Sequence, residues 1–254
     1  MSYTEKPWLP YRDSIVDFLK LGGERNMAHA NFEVEISKMT EAISQKKLKV
    51  HSGISQLAYL LWCYGQAVKK HPEMQGIKKG KKLIIFDDVD VSMIFEKETP
   101  TGIKVPVPYI FRAIQNKSFD EILEEFKKAE GMTLEQLHLR KKSKFFQMLP
   151  SGLRQWILKR ALSNPHKWKE ALGTVAFTTL GLLIRNRKFW PIPIGPYGLM
   201  MAAGSSYSVQ DINGKRTYLC MVVHFDHNLV DGAPAVRFGK TFMNLIESAE
   251  GLTS

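Results

Sequence analysis

Near the end of the chain, the run Thr217-Tyr-Leu-Cys-Met-Val-Val-His-Phe-Asp226 stops at a small polar cluster, His227, Asp231 and Gly232. An unbroken run of Val, Tyr, Cys, Met and Phe suits a strand covered on both faces. A histidine at the end of such a strand, with a turn behind it, has the placement of a general base. Neutral imidazole, with a pKa near ~6.5, is matched to proton abstraction at neutral pH. A thiol, with a free pKa near ~8.5, is one substrate that needs such help.

The elements that would position this residue are readable in part. After the turn, Pro234 opens a helix from Ala235 to Ser248, with Val236, Phe238, Phe242, Leu245 and Ile246 near helical spacing. Residues 1–30 read as an arm followed by a helix that starts after Pro10 and ends at Gly22-Gly23. Asn31 to Ser37 alternates, with Phe32, Val34 and Ile36 on one face, as a half-exposed strand does. A short helix over about Lys38–Lys47 follows. Ser52 or Ser55 then caps a long apolar helix, Gln56 to Lys70, which ends at His71-Pro72. Strand-like runs cover Leu83–Phe86, Val89–Phe95 and Val105–Phe111, and an amphipathic helix covers Asp120–Ala129.

Composition bounds the class. With 254 residues, 44% hydrophobic and 24% charged, the chain fits one large globular domain. It shows no signal-peptide pattern and no run near ~18 apolar residues, so a cytoplasmic location is expected. The two cysteines, Cys63 and Cys220, read as small buried hydrophobes, and no metal site is expected. Net charge is +11, yet residues 140–169 hold nine basic residues and no acid; without them 27 basic residues face 25 acidic ones. A nucleic-acid-binding domain is therefore not indicated, whereas a local anionic contact is.

The segment Phe225-Asp226-His227-Asn228-Leu229-Val230-Asp231-Gly232-Ala233 resembles the active-site signature of the superfamily that holds the catalytic domains of dihydrolipoamide acyltransferases and chloramphenicol acetyltransferase. It is nearer the first branch, since the second usually carries two adjacent histidines. His71-Pro72-Glu73-Met74, the run Thr99 to Val107 (Thr-Pro-Thr-Gly-Ile-Lys-Val-Pro-Val), and Lys117-Ser118 before a helix resemble further segments of the dihydrolipoamide acyltransferases. The resemblance implies an α/β chloramphenicol acetyltransferase-like fold, a mixed central sheet flanked by helices, with one domain per subunit and residues 31–254 as the catalytic domain.

The same resemblance implies a coenzyme A-dependent acyltransferase with His227 as base, acyl-CoA as substrate, no bound cofactor and an acceptor left open. The family's oxyanion hydroxyl falls on Thr178, in Gly173-Thr-Val-Ala-Phe-Thr-Thr-Leu-Gly181, with Thr179 in its asparagine's place. Along a strand these two point to opposite faces, so one serves. Asp231 is expected to brace the site loop, with Arg12 its candidate partner, and Gly232 to supply backbone freedom at the turn. His29 precedes the first strand as a family histidine does. Asn228 departs from the usual arginine. The family's site lies between subunits, so a homotrimer is expected, with higher assembly open.

No lipoyl domain or linker is recognised, so the chain is expected to stand alone, or to be served by a separate lipoyl or acyl-carrier protein. A structural or scaffolding trimer that kept the fold is the non-enzyme alternative. The stretch from about 132 to 171 exceeds the family's usual connection. Phe145, Phe146, Trp156 and Ile157 beside the basic cluster are expected to form a basic amphipathic insertion that packs on the body with its basic face in solvent, touches a membrane surface or a partner, or covers the site.

Overall fold

The computed structural model describes residues 1–9, 11–23, 25–46, 52–137, 148–180, 184, 186–212 and 214–252. A six-stranded mixed sheet runs in the order β1-β8-β7-β6-β4-β5. Its strands are β1 (Met27–Glu35), β4 (Val91–Glu98), β5 (Lys104–Phe111), β6 (Val175–Thr179), β7 (Leu199–Asp211) and β8 (Gly214–Asp226). Strand β6 runs parallel to both β4 and β7, and the remaining pairs are antiparallel. A separate hairpin joins β2 (Ile77–Lys79) to β3 (Lys82–Ile84).

One face of the sheet is covered by helices. The long α3 (Ser52–Lys70) packs against α4 (Phe119–Gly131) and α7 (Gly232–Glu247), with the short α2 (Ser37–Gln45) beside them. Val175, Phe177, Met201, Met221, Val223 and Phe225 enter this core from alternate strand positions, and Tyr64 of α3 meets Phe177 and Phe238. Helix α4 starts at a capping box: Ser118 Oγ accepts from the backbone of Glu121, whose carboxylate accepts from the Ser118 backbone. Two donors that the helix cannot satisfy internally are thereby paired.

Strand β8 is central, as its apolar run requires: β1 pairs with it over nine residues and β7 lies along its other edge. Several boundaries differ from the sequence expectation, among them β3, which ends at Ile84 rather than Phe86. Strand β1 begins at Met27 rather than Asn31, because β8 offers an open edge down to Asp226 and pairing overrides local propensity. Strand β4 begins at Val91, since the amides of Val89 and Asp90 bond to the side chains of Gln115 and Thr174 instead of a ladder. Helix α7 begins two residues before Pro234, which sits in the first turn where its missing N–H costs nothing.

The long connection holds α5 (Ser151–Leu162) and α6 (Pro165–Leu172). The expected amphipathic stripe is absent from α5: its apolar residues scatter around the axis, Leu153 and Trp156 are exposed, and Arg154 is its buried residue. Arg154 Nε donates to Asp17 of α1 (Tyr11–Gly22) at 2.8 Å, and Lys169 of α6 bonds to Asp88 at 2.9 Å. These cations of the basic segment hold the connection to the body. Arg140, Lys141, Lys142, Lys144, Phe145 and Phe146 lie outside the described residues. Among the described residues no helix is long and apolar enough to cross a membrane.

Candidate active site

His227 follows the last residue of β8, and its backbone is held while its ring stays open. The His227 amide donates to the Asn26 carbonyl at 2.8 Å, which ties the turn to the entry of β1. The side chain is 52% exposed, and Nδ1 lies 3.9 Å from Asp231 Oδ1. That distance exceeds hydrogen-bond reach, so Asp231 does not fix the ring, which packs beside Phe225 at 6.0 Å between centroids. Asp231 is 88% exposed and occupies the N-cap of α7 without a capping bond from its side chain.

The carboxylate that braces the turn is Asp226, which sequence reasoning missed. It is 4% exposed, and Arg25 Nη1 donates to its Oδ2 at 2.8 Å. Its Oδ1 accepts from the backbone N of Asn228 at 3.0 Å and from Asn228 Nδ2 at 2.7 Å. The side-chain Oδ1 of Asn228 in turn accepts from Asn26 Nδ2 at 3.0 Å. The guanidinium of Arg25 also lies over the ring of Trp168 on α6, 5.5 Å from its centroid. Arginine thus reaches this turn from the approach to β1 and not from the position after the histidine. A carboxylate inside an apolar run was the available signal, because a buried charge demands a partner.

Arg12, the expected partner of Asp231, instead places its guanidinium over the ring of Tyr11, 5.8 Å from the centroid. Gly232 does not use the freedom expected of it. Its φ lies outside the left-handed region, and a Cβ added there meets nothing within 4 Å.

Strand register places the threonines. Thr178 pairs with Ala202, which pairs with Val222, which pairs with Asn31; Thr179 pairs with Ala203 beside Met221. Cross-strand partners share a face. Thr179 therefore lies on the helix-covered face with Phe177, and Thr178 on the opposite one. His29 and Asp226 lie on the Thr178 face as well. His29 sits opposite His224, with ring centroids 5.8 Å apart and planes 14° from parallel. His224 is buried with Nδ1 unpartnered, and burial first, then the charge of His29, lowers its pKa.

His227 and Thr178 do not meet within one chain. Five residues of β8 separate Val222 from His227, and two strand spacings separate Val222 from Thr178. At about 3.4 Å per residue and about 4.8 Å per strand, the separation is about 20 Å.

One cleft adjoins the histidine turn. Asn228 and Leu229 form one wall, Lys78, Lys81, Lys82 and Leu83 the other, around about 220 Å³. The run that forms this wall, Lys78-Lys79-Gly80-Lys81-Lys82, lacks the apolar alternation of a strand, so sequence reasoning missed the hairpin. Among the described residues no group of three or more His, Cys, Asp or Glu is gathered to hold a metal ion.

This sheet with its helical layer is the chloramphenicol acetyltransferase-like fold. The solved cubic core of the pyruvate dehydrogenase multienzyme complex superposes with a TM-score of 0.69, at 16% identity over 100% of this chain and 95% of that one. Dihydrolipoamide acetyltransferase of Azotobacter vinelandii, studied for the roles of a serine, a histidine and an asparagine in its catalytic mechanism, gives 0.69 at 15% identity over 100% and 95%. A chloramphenicol acetyltransferase gives 0.53 at 13% identity over 94% and 96%. No curated protein matches by sequence. The family model described as 2-oxoacid dehydrogenases acyltransferase (catalytic domain) matches residues 2–140, more than half the chain. The chain belongs to this family and is an acyltransferase. The match ends before the turn that carries His227, so the assignment of the site rests on geometry and motif.

Proposed function

We propose that the protein transfers an acyl group between coenzyme A and a thiol, hydroxyl or amine acceptor, in a site shared by two chains of a homotrimer. The observation that carries this reading is the mounting of His227: backbone held to Asn26, turn braced by Asp226, ring open. A rigid backbone with an accessible ring is what a positioned general base requires. The separation of Thr178 from His227 within one chain supports a shared site, because a neighbouring copy must then bring the hydroxyl.

In the proposed step, His227 Nε2 takes the proton of the acceptor as its heteroatom attacks the thioester carbonyl. Thr178 of the adjacent copy donates its hydroxyl to the oxyanion that forms. Collapse breaks the carbon–sulfur bond, and the departing coenzyme A thiolate recovers the proton from the imidazolium. In the Azotobacter enzyme the histidine and asparagine stand four positions apart, the spacing of His227 and Asp231. Thr178 takes the part of that enzyme's serine, since a threonine hydroxyl donates the same bond.

The test is thiol release from acetyl-coenzyme A. His227→Ala is expected to lower kcat by about 10²–10⁴-fold, and Thr178→Val by about 10²–10³-fold. Mixing the two inactive variants after dissociation should restore about a quarter of the activity, since random trimers pair an intact histidine with an intact threonine at that frequency. Full activity in His227→Ala defeats the reading. Absence of recovery on mixing defeats the shared site.

A further inference from the structure

The segment 77–86, Ile-Lys-Lys-Gly-Lys-Lys-Leu-Ile-Ile-Phe, carries four lysines and no acid. It folds as the β2–β3 hairpin, in which Lys79 pairs directly opposite Lys82. Like charges in that relation oppose each other. Among the described residues none of the four lysines is paired with a carboxylate. The nearby Asp88 is taken by Lys169 at 2.9 Å and by Gln115 at 3.1 Å. The hairpin therefore concentrates positive charge that the chain does not neutralise.

Its position is fixed against the histidine turn. A Cβ on Gly198 would lie 2.8 Å from the carbonyl oxygen of Gly76, at the start of the hairpin, and 3.1 Å from Leu229 Cδ1. Glycine at 198 lets the two segments close up, and the cleft of about 220 Å³ lies between them. That volume is below the ~300–1,000 Å³ that encloses a whole small-molecule ligand. It suits one charged group at the end of a longer molecule. Lysine binds phosphate as a point charge without a fixed fork, and Leu83 and Leu229 offer apolar surface beside the cations.

We propose that the lysine cleft is a phosphate subsite, in which Lys78, Lys81 and Lys82 grip the phosphate end of a phosphopantetheine thioester. The inference rests on the acyl-transfer reading and adds which part of the donor is held. The same phosphate is offered by free coenzyme A and by a carrier protein bearing a phosphopantetheine arm; a lipoyl arm lacks it.

The experiment compares the intact protein with Lys81→Gln/Lys82→Gln and with the charge reversal Lys81→Glu/Lys82→Glu. Donors are acetyl-coenzyme A, an acetylated phosphopantetheinyl carrier protein, and acetyl-pantetheine, which has no phosphate. The preference in kcat/KM for the phosphorylated donor over acetyl-pantetheine is expected to fall at least about tenfold in the double glutamine variant, further in the reversal. It should also fall with added salt in the wild type. The donor whose preference collapses identifies the source of the phosphate. Unchanged preference in both variants overturns the subsite. If the wild type transfers from no donor, the acyl-transfer reading fails by itself, and calorimetry with coenzyme A and the unacetylated carrier decides the subsite. Binding weakened by the glutamine pair keeps it; unaltered binding, or none to either probe, removes it.

Discussion

The two sides of the His227 turn carry an aspartate each, and the two are built in opposite ways. On the strand side, Asp226 is buried and holds Arg25 and Asn228. On the helix side, Asp231 is almost fully exposed and makes no capping bond. The motif draws the eye to Asp231, yet the polar bonds that shape the turn converge on Asp226. A buried, multiply bonded carboxylate fixes geometry; an exposed one without such bonds does not. The difference separates the carboxylate that shapes the turn from the one that only stands beside the ring.

Three changes sharpen or break that contrast. Arg25→Ala leaves the Asp226 carboxylate buried without its cation and is expected to cost about 3 kcal/mol of stability in denaturant unfolding. A loss under about 0.5 kcal/mol would mean that the strand side of the turn does not depend on this pair.

A smaller effect is expected from His224, two positions before Asp226 on the same face. Its pKa is lowered in the folded chain by burial and then by His29, so between the folded and unfolded values the unfolded chain binds more protons. Stability is therefore complete above about pH 6.5, the unfolded value, and declines as pH falls below it. His224→Phe should flatten part of that decline in thermal melts run from pH 7.5 to 5, and an unaltered slope would assign it elsewhere.

The smallest structural effect belongs to Asp231→Asn. Stability should stay within about 0.5 kcal/mol of the wild type, while kcat/KM in the acetyl-coenzyme A assay falls by no more than about tenfold. Destabilisation equal to that of Arg25→Ala would erase the distinction between the two carboxylates.

Some of this was legible before any coordinates. The apolar run of β8 marks a central strand because a chain segment without polar positions has to be covered on both sides. The helices over α3 and α4 follow from apolar spacing and from Ser118 with Glu121. The place of His227 at the strand end follows from where the apolar run stops. The small β2 strand did not show, since lysines at 78 and 79 leave no apolar alternation. The surface-helix expectation for the basic connection finds no support in α5, where charge and hydrophobicity do not segregate around the axis.

Sequence alone determined the central strand, the histidine that follows it and the pair of threonines with opposite faces. Only the tertiary structure decided which aspartate braces the turn, which threonine lies off the core face, and that a lysine hairpin stands against the histidine loop. The reason is physical. Periodicity and local motif report on neighbours a few residues apart, whereas Arg25 meets Asp226 across 201 positions, and burial of that carboxylate exists only once β1 has paired with β8.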